Sequence, residues 1–197
     1  EDLDERIGAL IVAKIDGLPI TIQEFPVSRY FLKIGDNQIE HMIAIFEWRY
    51  QFWLLQFAER LSEDPNGGFA VLVLLNAYFD MIAQLNGHRR GDIEKGLELV
   101  FPELASEPDV RGDLEKNLRH AIAHMGITTD IILQEGYDYP LVWGPYRGNE
   151  AAIVINPRLM LIHIKSHFEE YVAALRDPDP KNDKRRRDFL KRVRRKA

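Results

Sequence analysis

Residues 118–126 read LRHAIAHMG, setting an arginine and two histidines among small apolar residues. Histidine titrates near neutral pH and can take or give a proton, whereas arginine stays charged and can hold two oxygens of one phosphate. Arg119 and His124 are separated by four residues. At about 100° per residue, Asn117, His120 and His124 share one stripe of a helix, with Arg119 beside it and long enough to reach the same place. Ala121 and Ala123 leave room for a large ligand to approach. These groups match the needs of RNA cleavage. The RNA supplies its own nucleophile in the 2′-OH, so the protein has only to handle a proton and stabilise charge on the phosphate. That chemistry requires no metal or other cofactor.

The spacing by itself is not specific, because Arg158 and His163 repeat it. There the intervening residues are Leu-Met-Leu-Ile, and the pair reads as a cap-region arginine and a histidine at a core edge. For Arg119 and His124 the structural alternative is a helix end whose cations complement its dipole. Metal binding is a further chemistry to weigh. His120/His124 and His163/His167 each place two imidazoles on one helical face, with Glu40, His41, Glu47 or Asp80 as possible additional ligands. The fixed charge of Arg119 and the lack of an HExxH pattern weigh against it. Arg89 and Arg90, after Gly87, are candidate phosphate contacts. No GxGxxG or GK[ST] motif occurs, which argues against nucleotide hydrolysis.

The elements that must position these groups are mostly helical. An Asp16-Gly17 loop between β-prone runs predicts a hairpin over about 8–25. A long aromatic helix follows the Asp36 cap, from Ile39 to Leu61, and ends at the turn Asp64-Pro65-Asn66-Gly67-Gly68. FAVLVLLNAYFDMIAQL is then a buried helix closing at Gly87. Its apolar run is too short for a membrane span, and no membrane association is expected. Shorter helices are predicted from Asp92 to Val100 and from Ser106 to Gly126, the second carrying Arg119 to His124 on its C-terminal half. Short β-prone runs over about 128–155 predict a small meander or hairpin. Asn156-Pro157 opens a last helix, Pro being favoured at the first helical position.

The run RHAIAH from Arg119 to His124, after the amphipathic lead-in DLEKNL, resembles the ribonuclease signature of the HEPN superfamily. The resemblance implies a mainly α, HEPN-like helical bundle and catalytic roles for Arg119 and His124. It puts His120 at the polar position after the arginine. It further implies a homodimer with two signatures facing one another, metal-independent endoribonuclease activity on RNA, and a setting such as toxin–antitoxin or antiviral defence. Gly126 stands where toxins paired with nucleotidyltransferase antitoxins carry a tyrosine. The alternatives are a non-catalytic interaction module of the same fold and the histidine metal protein.

With 197 residues, 46% of them hydrophobic, the chain can bury one core of ordinary size. The expected organisation is a body over 1–176 and a flexible basic tail over 177–197. The absence of cysteine excludes disulfides and thiolate chemistry and, without a signal-peptide pattern, fits a cytoplasmic protein. The net charge of −5 hides an asymmetry: 16 basic against 27 acidic residues up to 176, then 10 against 4. An acidic body repels nucleic acid at long range, whereas the tail can recruit RNA or dock on a protein inhibitor or partner. Phe189, Leu190 and Val193 share one face should the tail become helical.

Overall fold

The structure is a computed structural model that describes residues 11–15, 18–21, 39–118, 131–146 and 149–195. Over these residues the chain is mainly α with small β additions, as its periodicity predicts. By its contacts it divides into two units, 1–54 with 170–197 and 55–169.

In the first unit, β1 (Ile11–Ile15) and β2 (Leu18–Thr21) pair antiparallel with Ile15 opposite Leu18, so two residues separate the strands. Strand β1 lies against α1 (Ile39–Tyr50), which buries Ile39, Met42, Ile43 and Ile45. The segment expected to be a flexible tail is instead ordered. Asp177 accepts hydrogen bonds from the Asn182 amide (2.9 Å) and the Asp179 backbone N–H (3.0 Å). A helix then runs over Asp183–Arg195. Charge count suggested flexibility, but Phe189 gives this helix an anchor. It is fully buried and meets Phe46 edge-on at 5.4 Å, with Phe46 also 6.4 Å from Tyr171. Burying one such ring contributes about 1.5–3 kcal/mol.

The expected single helix through Leu61 contains one wider turn. Gln51–Leu55 is π-helical, and α2 (Gln56–Ser62) follows it. In the second unit, the turn after α2 demands its glycine: a Cβ on Gly67 would come within 1.8 Å of the Leu61 carbonyl oxygen. Helix α3 (Gly68–Leu85) is the core of this unit. Among the described residues it alone is long and apolar enough to cross a membrane, and 56% of it is buried inside the structure. Helix α4 (Ile93–Val100), capped by Asp92, crosses α3 in backbone contact, since a Cβ on Gly96 would lie 2.0 Å from the Phe79 carbonyl oxygen. A 3₁₀ turn (Pro102–Ser106) leads to α5 (Pro108–Glu115).

Strands β3 (Ile131–Leu133), β4 (Leu141–Tyr146) and β5 (Asn149–Ile155) form a sheet in the order β3-β5-β4, with β3 parallel to β5. A hairpin is present in β4–β5, but a meander is not. The apolar residues 152–155 of β5 are all buried and take the centre, which sends β3 and β4 to its two edges. Helix α6 (Pro157–Arg176) starts at Asn156, whose Oδ1 accepts from the backbone N–H groups of Arg158 and Leu159, both at 3.1 Å. The same carboxamide donates to the carbonyls of Glu135 (2.7 Å) and Tyr137 (2.8 Å), tying the β3–β4 connection to the helix start. We label the Asp183–Arg195 helix α7.

Candidate functional site

Helix α5 opens with Pro108 and leads toward the signature through a π-helical turn over 116–118. Leu114 and Leu118 are fully buried, which fixes this lead-in to the core. Arg119, His120 and His124 lie outside the described residues. Asn117 is described, and it departs from its expected role as a substrate contact. It is 3% exposed, and its Nδ2 donates to the Asp113 carbonyl at 2.9 Å. The reason lies in the turn: i→i+5 bonding over 116–118 changes the rotation per residue, so a stripe extrapolated at 100° no longer holds from this point on.

Upstream, α4 and α5 are joined through ions. Arg111, with a side chain only 15% exposed, donates from Nε to Glu94 (3.3 Å) and from Nη1 to the Leu104 carbonyl (3.0 Å), and it lies 3.4 Å from Glu98. Lys95 donates to Glu98 at 2.7 Å. That hydrogen bond, then the charges of Lys95, Arg111 and His88, hold the Glu98 carboxyl below its ordinary range against a smaller opposing effect of burial. The loop 86–92 is set by two left-handed glycines, Gly87 (φ 89°) and Gly91 (φ 79°), and the Gly91 N–H donates to Asp80 at 2.7 Å. Arg89 and Arg90 stand exposed on this loop and make no ion pair or hydrogen bond among the described residues. They remain available to a polyanion.

The second Arg-x4-His pair is structural. Arg158 is exposed, and His163 stacks on Phe101 (4.7 Å between ring centres, 11° between planes). His163 Nε2–H donates to the Val100 carbonyl at 2.9 Å, a bond that fixes the ring's tautomer. His167 shares a 2.7 Å hydrogen bond with the Tyr78 hydroxyl. These two imidazoles therefore serve separate neighbours. Among the described residues, no three His, Asp or Glu side chains come together as a metal would need.

Sequence reasoning missed one feature of the second unit, a cleft of about 730 Å³ between α2 and α6. It is lined by Glu59, Arg60, Glu63, Glu135, Arg158 and Lys165, and Lys165 is paired with Glu59. Acids and bases balance, and no histidine lines it, so it offers binding groups without a proton-transfer group near neutral pKa. Its only advance signal was the turn 64–68, which brings α2 back beside later elements.

No family model, curated protein or solved structure matches this chain.

Proposed function

We propose that the chain is a metal-independent endoribonuclease of the HEPN type, acting on RNA in the cytoplasm as a homodimer. One observation carries the reading: the Arg119–His124 signature, at the end of a lead-in whose Leu114 and Leu118 are locked into the core. His124 handles the proton of the 2′-OH, Arg119 stabilises the charge growing on the phosphate oxygens, and His120 adds a polar contact. Exposed Arg89 and Arg90 extend the phosphate track. A setting in toxin–antitoxin or antiviral defence, with a protein inhibitor or partner, fits an enzyme whose activity on RNA must be restrained.

The test is cleavage of a labelled single-stranded RNA in EDTA. The expected products end in a 2′,3′-cyclic phosphate, because the attacking oxygen is the RNA's own. Arg119→Ala or His124→Ala should lower the rate by about 10²-fold or more, the usual scale for one charge-stabilising or acid–base group. Folded Arg158→Ala protein should cut normally. An activity abolished by EDTA and restored by zinc or manganese would favour the histidine metal site. No cleavage under any condition would leave a non-catalytic helical module.

A further inference from the structure

Two arginines of the first unit have a partly buried guanidinium without an acceptor. The Nε groups of Arg49 on α1 and Arg192 on α7 are both shielded from solvent, and neither makes a hydrogen bond among the described residues. Both lie three residues, one helical turn, beyond the contact pair Phe46–Phe189. The two helices run in the same direction. Helix α6 opposes α1, because its residue Tyr171 meets Phe46 while the later Arg176 reaches back to Glu47 and senses Glu40. Helix α7 doubles back on α6, bringing Arg185 over the Tyr171 ring at 5.5 Å. Arg49 and Arg192 thus advance from the Phe46–Phe189 contact toward the same end.

The nearest acids in sequence are already engaged, Glu47 with Arg176 at 2.5 Å and Asp188 with Lys184 at 3.3 Å. Burial pulls the Arg49 guanidinium below its ordinary range, and no acid offsets that pull. An uncompensated buried charge is costly unless something pairs it. Beside it, the Arg49 guanidinium lies 5.1 Å over the Trp53 ring, and Trp53 is 54% exposed. Helix α7 surrounds the place with eight basic and two acidic residues.

We propose that Arg49 and Arg192 form a phosphate seat for single-stranded RNA, with Trp53 as the face on which an adjacent base stacks. Arginine supplies parallel donors to phosphate oxygens, and an exposed indole accepts any base. The chosen ligand, RNA rather than another polyanion, rests on the ribonuclease reading; the anion seat itself does not.

The experiment uses the full chain and a 12-residue 2′-O-methyl oligouridylate, which cannot be cut because its 2′ oxygen is blocked. Binding is read by fluorescence anisotropy at two salt concentrations and by tryptophan quenching. Arg49→Gln and Arg192→Gln should each weaken binding about 10-fold, the scale of a lost charge-assisted contact, and lessen its salt dependence. Trp53→Leu should weaken it by a similar factor and remove most of the quenching. Lys184→Gln and Arg187→Gln, exposed on the same helix, should each change affinity by less than about 3-fold, as expected for single exposed charges in salt. Arg49→Lys and Arg192→Lys carry the test if the glutamine variants unfold, and they should still lose several-fold because lysine cannot bridge two oxygens. Equal losses for all basic residues would mean a diffuse electrostatic film and would overturn the seat, as would unchanged binding in the lysine variants. Tight binding to heparin with none to the oligonucleotide would place another polyanion there and overturn the RNA assignment. If the Arg119→Ala/His124→Ala protein binds as the wild type does while no RNA is ever cut, the seat stands and the nuclease reading falls.

Discussion

At the scale of single residues, Asn156 shows how much structure one carboxamide can hold. Its oxygen caps α6 and its nitrogen meets two carbonyls. Asn156→Asp keeps the cap but turns an oxygen toward those carbonyls, and should destabilise the protein by about 1–3 kcal/mol in urea unfolding; Arg158→Ala, exposed, should stay within about 0.5 kcal/mol. Tyr171 sets a pH limit. Burial, the largest effect, pushes its phenol well above the ordinary value, with Asp188 adding to the shift and Arg185 opposing it. The folded state therefore holds this proton more tightly than the unfolded chain. Its stabilising contribution is complete below about pH 10, the unperturbed tyrosine value, and is lost as pH rises through the higher folded value. Thermal midpoints should fall above pH 10, and Tyr171→Phe should make that fall shallower. The sequence showed the Asn156-Pro157 start and the core-edge character of His163, because both follow from local spacing. Asn117 was misplaced because a three-residue π-helical stretch carries no clear signature in residue types.

At the scale of elements, glycines and prolines marked most boundaries correctly, since they reflect backbone needs that act locally. Gly67 illustrates this, as does Gly87 with its positive φ. Gly96 has a different reason, a crossing of α4 over α3 so close that only hydrogen fits. Gly96→Ala should destabilise by roughly 1–3 kcal/mol or more through overpacking, read as a lowered urea midpoint. Pairing order in the sheet was not legible, because β3 could meet β4 or β5 on pattern alone and burial of β5 decided it. Helix α7 was read as a flexible tail since its charges dominate its composition; the one ring that holds it finds its partner more than a hundred residues away. Phe189→Ala should cost about 3–5 kcal/mol by leaving a cavity, and the cleavage rate of any protein that remains folded should not change, because the signature lies on a different stretch.

At the scale of the whole molecule, the proposed two-fold arrangement of signatures can be checked directly. Light scattering at tens of micromolar, a rough range for a stable interface, should give twice the 22.9 kDa mass of the chain; a monomer there that still cuts RNA would show that one signature suffices. The division into units could not be read from the sequence, because it depends on which distant segments meet: the expected body over 1–176 and tail give way to 1–54 joined with 170–197. That closure has a consequence for synthesis. Residues 1–54 leave the ribosome first, and the segment that completes their unit leaves after the 115 residues of 55–169, roughly 6–23 seconds later at about 5–20 residues per second. During that interval the ring of Phe46 waits without Phe189. A messenger cut short within the last thirty codons would thus yield a chain that carries the whole signature but lacks the cover of its first unit, and quality-control proteases, which act on exposed apolar surface, would remove it.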